Sequence, residues 1–176
     1  MGALLLLIAD TAMPQNPKAP SAQEISRRIV STATNYAKSI SCADVKINPK
    51  FVVTLNQWKT MDDRFDARYA VLWYGDIGCG GGSQSTTLNI LIATVGAGNT
   101  VVVDPTQSSP VATFEASDLF IEKVVSNSKD SLLLEGKEAG PNDANCCPSV
   151  LVQTRLRADP KGNWKVIEKK TIAKKK

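Results

Sequence analysis

Only one stretch of this chain carries helical periodicity, and that restriction shapes what the rest can become. Ser21-Ala22-Gln23-Glu24 is a capping box, in which the Ser21 hydroxyl accepts the Glu24 amide N–H while the Glu24 side chain reaches back. Apolar residues follow at Ala22, Ile25, Ile29, Ala33, Tyr36 and Ile40, in steps of three and four, with Arg27, Arg28, Asn35 and Lys38 off the stripe. That is the apolar face of one α-helix, and it must pack on something. Beyond Ile40 the pattern changes to β-branched and alternating runs cut by turn residues. Residues 51–55, 67–74, 86–95, 100–103, 131–135, 150–157 and 164–169 read as strands, and residues 119–125 fit a strand or a short helix. The expected fold class is α+β: one N-terminal helix packed on a twisted antiparallel sheet, held by disulfides.

The strands fall into two units of one plan. Each unit has a strand, a long polar loop bearing cysteine, a second strand, a tight turn and a third strand. The first unit runs through Cys79, with the turn Gly96-Ala97-Gly98-Asn99. The second runs through Cys146 and Cys147, with the turn Asp159-Pro160-Lys161-Gly162-Asn163. If the plan is structural, the two cysteine loops lie at the same end of the sheet.

The chain has 176 residues, which fits one domain. The expected organisation is a signal-like or disordered segment at 1–20, a globular domain at 21–170 and a basic tail at 171–176. Residues 3–9 read ALLLLIA, about 10 Å of helix and far short of the roughly 20 residues that span a bilayer. The run matches the apolar core of a signal peptide, although no Lys or Arg precedes it, and Pro14, Pro17 and Pro20 make the following stretch a stiff spacer. No cysteine stands before Cys42, so no lipid anchor is expected, and the expected location is periplasmic or secreted. The net charge is +4, but Lys169, Lys170 and Lys174 to Lys176 supply five positive charges near the C-terminus. The body is therefore close to neutral, and no specific nucleic-acid partner is expected.

Histidine is absent, which removes Ser-His-Asp and Cys-His catalysis and every metal site built on imidazole. The four cysteines, Cys42, Cys79, Cys146 and Cys147, lack the paired knuckles of a zinc site and read as two disulfides in an exported chain. Side chains alternate along an extended stretch, so Cys146 and Cys147 should reach different partners. The expected pairing is Cys79–Cys146 with Cys42–Cys147, ahead of the swapped arrangement. Cys42–Cys79 comes last, because it leaves the adjacent pair to close a strained eight-membered ring.

Candidate binding residues cluster in the two loops: Asp76, Gly80, Gly81 and Gly82 in the first, Asp143 and Asn145 in the second. Gly78-Cys79-Gly80-Gly81-Gly82 lacks the Lys-Ser/Thr of a phosphate loop and joins two strands rather than opening a helix. Asn142-Asp143-Ala144-Asn145 lacks the acidic order of a calcium loop, so Asx turns explain it better. No metal and no cofactor is expected. Asp62, Asp63, Asp66 and Asp76 include candidates for a carboxylate pair of the glycosidase kind. Trp58, Trp73, Tyr74 and Trp164 are candidate contact aromatics, although such residues in strands more often fill a core.

Asn145-Cys146-Cys147-Pro148-Ser149, followed by a strand and a hairpin ending in Gly162-Asn163-Trp164-Lys165-Val166, resembles the CCPS motif near the C-terminus of exported actinobacterial proteins of the LppP/LprE lipoprotein type. The resemblance implies an exported, disulfide-bearing protein and no particular reaction. The expected function is that of a bacterial envelope or secreted protein that acts by surface binding, of partner or immunity/inhibitor type. It is expected to be a monomer whose partner is another protein. The alternative is a cell-wall or carbohydrate-active enzyme using a carboxylate pair.

Overall fold

The structure, a computed structural model, describes residues 19–82, 85–144 and 147–172. The helix forms where the capping box places it. Helix α1 (Ala22–Ile40) starts at Ser21, whose side chain accepts the Glu24 N–H at 3.2 Å. The other half of the box is absent: the Glu24 carboxylate pairs with Arg27 and Arg28 one turn on. The helix buries Ile25, Ile29, Ala33 and Ala37, a strict four-residue step, while Tyr36 and Ile40 lie partly buried at its margin. Ala37 therefore takes the central place that the sequence pattern gives to Tyr36. The larger ring of Tyr36 leans outward, and its hydroxyl donates to the Ser109 carbonyl at 2.9 Å.

Two four-stranded antiparallel sheets follow, each a meander in chain order. The first contains β1 (Val52–Asn56), β2 (Arg68–Gly75), β3 (Thr87–Val95) and β4 (Val101–Asp104). The second contains β5 (Phe120–Asn127), β6 (Ser131–Glu138), β7 (Val150–Ala158) and β8 (Trp164–Thr171). The stretch 119–125, open between strand and helix in the sequence, belongs to β5. The repeat plan is real, and each unit forms its own sheet.

The molecule is three-layered because the first sheet is apolar on both faces. Tyr69, Val71, Trp73, Leu91, Ala93 and Val95 face the helix. Ala70, Leu72, Leu88, Ile90 and Ile92 face the second sheet, which contributes Ile121, Leu132, Leu134, Val152, Leu156 and Trp164. A sheet buried on both faces reads as a continuous apolar run, and residues 90–93 are one. The second sheet alternates instead. Its outer face carries Lys123 on Glu135 and Arg155 on Glu168, pairs that solvent screens.

The segment between the units first closes the free side of β3. The Ile92 N–H donates to Ser108 Oγ at 2.9 Å, the Ile90 N–H to Ser109 Oγ at 3.2 Å, and the Leu88 N–H to the Ser117 carbonyl at 2.8 Å. It then crosses to the second sheet and exchanges backbone bonds with Trp164. Lys169 and Lys170 of the basic C-terminal group lie in β8, and Lys169 pairs with Glu138 at 2.6 Å. Ala19 packs partly buried against the helix layer. The signal-like run at 3–9 and the last lysines of the tail lie outside the described residues. Among the described residues no helix is long and apolar enough to cross a membrane.

Candidate functional site

Both cysteine loops emerge at one end of the sandwich. The Tyr74 hydroxyl, near the end of β2, donates to the Leu119 carbonyl at 2.9 Å and accepts the Ile121 N–H at 2.6 Å. Phe120, between those residues, pairs with Lys137 near the end of β6. The loops leaving β2 and β6 therefore share this end. The opposite end is marked by Asn127, whose side chain donates to the Thr54 carbonyl of β1 at 2.7 Å.

Each loop is organised around one carboxylate. Asp76, only 4 % exposed, accepts the Gly80 and Gly81 N–H groups, each at 3.1 Å. The Gly81 N–H is the strongest influence holding its carboxyl below the usual range. Cys79 within this turn has φ 53, and Gly81 and Gly82 also take positive φ, which glycine adopts without cost to a Cβ. Asp143 accepts the Gly140 N–H and the Ser149 N–H, each at 2.7 Å, and the Ser149 hydroxyl at 2.8 Å. Those bonds, the Gly140 N–H first, lower its pKa as well. The candidate residues Asp76, Gly80, Gly81 and Asp143 therefore build their own loops, and no hydrogen bond joins the two loops among the described residues. Asn145 lies outside the described residues.

The disulfide framework differs from the expectation. Cys42 and Cys79 are bonded to one another, with Cα atoms 5.3 Å apart. Cys147 is also in a disulfide, so neither of the cross-pairings between Cys42 or Cys79 and the adjacent pair forms. The reason is the layering. On a single sheet the repeat plan would set the two cysteine loops side by side. The second unit instead covers the face of the first sheet that the helix leaves free. The helix end and the first loop belong to neighbouring layers and meet directly: the Asp76 N–H donates to Ser41 Oγ at 3.1 Å, and the Cys42 N–H to the Asp76 carbonyl at 2.9 Å.

Asp62, Asp63 and Asp66 precede β2 whereas Asp76 follows it, so the eight-residue strand separates them by roughly 25 Å. Asp63 instead accepts hydrogen bonds from Thr60, whose hydroxyl is the main cause of its lowered pKa. The Asp and Glu carboxyls whose pKa is clearly displaced are Asp63, Asp76, Asp104, Glu135, Asp143 and Asp159, and all move downward, away from what a general acid needs. Trp58, Trp73 and Trp164 are at most 2 % exposed and belong to the two cores. Among the described residues no cluster of three or more acidic or cysteine ligands is placed to hold a metal.

Sequence reading missed a cleft of about 520 Å³ on the side of this end, between residues 46–51 and β2. Lys46, Ile47, Pro49 and Phe51 form one wall, Leu72 and Tyr74 the other. Its signal was present: Val45 and Ile47 alternate with Lys46 and Asn48 as a strand would, but Pro49 cuts the run before β1 begins. Comparison with known proteins finds no family model, no curated protein and no solved structure that matches this chain.

Proposed function

We propose that this chain is an exported bacterial protein, of the envelope or secreted, that acts by surface binding as a partner or immunity/inhibitor-type protein. The contact surface is the end of the sandwich where the two cysteine loops emerge. The observation that carries this reading is that both loops are fixed from within by buried or multiply bonded carboxylates, Asp76 and Asp143. Loops ordered before binding lose little entropy on contact, and recognition concentrates on such loops. Export is supported by the Cys42–Cys79 disulfide, which joins two exposed cysteines and persists where the surroundings are oxidising. The sequence resemblance to exported proteins points the same way.

Two measurements test the reading. The full chain is fused to a reporter phosphatase that becomes active only outside the cytoplasm; activity is expected, and an inactive but intact fusion overturns export. Photo-crosslinking groups are then placed at Gly78, where a side chain meets nothing within 4 Å, and at Ser128 beyond the opposite end. Adducts with a partner protein are expected from Gly78 alone. Adducts only from Ser128, or from neither, refute the assigned surface.

A further inference from the structure

We infer that the cleft beside β2 takes the free C-terminal end of a partner polypeptide, added as a short strand to β2, with its carboxylate held by Lys46. This rests on the surface-binding reading and names the class of partner. In an antiparallel pair, opposed residues alternate between exchanging hydrogen bonds and pointing their N–H and C=O groups away. Leu88 and Ile90 direct their N–H groups to the linker side of β3. Their partners across the ladder, Tyr74 and Leu72, therefore direct theirs to the opposite side, into the cleft. Strand β1 accompanies β2 only as far as Val52↔Val71, and the next backbone contact on that side is the Cys42 N–H on the Asp76 carbonyl. Between them the backbone N–H and C=O of Tyr74 have no partner among the described residues. The linker closes the equivalent side of β3 with Ser108, Ser109 and Ser117, so the gap at Tyr74 is specific to the cleft.

An extended peptide supplies the donor and acceptor that such an edge lacks. The gap is closed at one end by β1 and at the other by the Cys42–Asp76 contact, which leaves the four residues 72–75, roughly 13 Å of strand. A chain end fits this space better than a strand running through. Lys46 lines the cleft, is exposed, and makes no ion pair among the described residues, which selects a carboxylate terminus over an ammonium one. Phe51 and Tyr74, both only partly buried, offer apolar surface to the terminal side chains.

The test uses the full oxidised chain and a set of acetylated tetrapeptides ending in Val, Ile, Leu or Phe. Each is made as the free acid, as the C-terminal amide, and as the free acid with its last amide N-methylated. Binding is read from amide chemical shifts. At least one free acid is expected to bind with shifts centred on residues 46–48 and 72–75. Amidation and N-methylation should each weaken it tenfold or more, and Lys46→Glu should do the same to the free acid. The inference is overturned if no free acid shifts these resonances at millimolar concentration. It is also overturned if the amides bind equally, if the N-methyl peptides bind equally, or if the shifts lie elsewhere. Partner crosslinking from Gly78 that persists in Lys46→Glu, with no peptide response, overturns the cleft assignment and leaves the surface-binding reading standing.

Discussion

Replacing Gly136 with Ala tests how tightly the second sheet is built. Gly136 lies inside β6 opposite Ile121 of β5. A Cβ added there would sit 2.4 Å from the Phe120 carbonyl oxygen and 2.9 Å from the Ile121 Cα. Both are backbone atoms, so no side chain can turn away and β5 itself must shift. That strand is anchored at the same point, because the Ile121 N–H donates to the Tyr74 hydroxyl at 2.6 Å. Forcing extra volume into a packed site costs about 1–3 kcal/mol. Losing the Ile121 bond leaves a donor without its partner, at about 1–3 kcal/mol more. The expected loss is therefore about 2–6 kcal/mol, a fall in Tm of roughly 4–24 °C for a domain of this size. Urea denaturation gives the number, with the m-value reporting whether the unfolded reference has changed. Two other glycines calibrate it. Gly98 has open space but φ 68, so Gly98→Ala should cost about 1–2 kcal/mol through its left-handed backbone alone. Gly78 has open space and no such φ, so Gly78→Ala should stay within about 0.5 kcal/mol of the parent. A Gly136→Ala protein as stable as Gly78→Ala would refute the close approach of β5 and β6.

The remaining expectations follow the same logic. Ile29→Ala, at a fully buried helix position, should lose about 2–5 kcal/mol in the same denaturation assay, and a loss under about 0.5 kcal/mol would mean that the helix stripe faces solvent. Tyr74→Phe leaves the Leu119 carbonyl and Ile121 N–H without their shared hydroxyl and should cost about 1–3 kcal/mol; an unchanged midpoint contradicts the cross-sheet anchor. Replacing Cys42 and Cys79 together by Ser opens a loop of sequence separation 37 and should cost about 2–4 kcal/mol, while non-reducing peptide mapping of the parent should recover the two residues as one linked peptide. Asp76, Asp143 and Asp159 have folded pKa values below the ordinary aspartate value of about 3.9, so the stability they contribute is complete above that value and disappears as pH falls through the lower folded values. Denaturation midpoints should thus be flat in this respect near neutrality and fall below about pH 4, and Asp143→Asn should flatten that acid limb.

How much of this was legible depends on the range of the interactions. Helix α1 was readable because a capping box and a four-residue apolar step are local. The hairpin from β7 to β8 was readable because the turn 159–163 carries Pro and Gly where a tight turn needs them. That the units form two sheets was not readable as such, since meander connections look alike whether the next strand joins the same sheet or begins another. It had an indirect trace: residues 90–93 of β3 are apolar without a break, which requires cover on both faces, and the helix can cover only one. The disulfide error descends from that point. The expected pairings require the loop of Cys79 to lie beside that of Cys146 and Cys147 within a single sheet. What decided its partner was the contact of Ser41 and Cys42 with Asp76, between residues far apart in the chain. The loop carboxylates Asp76 and Asp143 stand out in the sequence by residue type, but sequence spacing could not show that their hydrogen bonds turn inward to their own loops.

The open stretch at Tyr74 is best understood against the way the chain treats its true edges. An exposed strand edge invites pairing with other copies, and proteins blunt such edges with bulges, charges and covering elements. Strand β4 lies under α1, where Thr32 and Arg28 reach the Val101 and Asn99 carbonyls. Strand β5 has two irregularities in its register and carries Glu122 and Lys123. Strand β8 has one and carries Lys165, Lys169 and Lys170. Strand β1 is short, and the Asn127 side chain occupies its Thr54 carbonyl. Tyr74 belongs to none of these. It sits in an interior strand whose neighbour stops early, in a gap too short for the strand of a second copy to enter and bounded by contacts on both sides. Such a gap does not share the aggregation hazard of an edge, so a chain can retain it without the usual protections. It also restricts what can pair there to a few residues, and a geometry that excludes long strands favours a chain terminus.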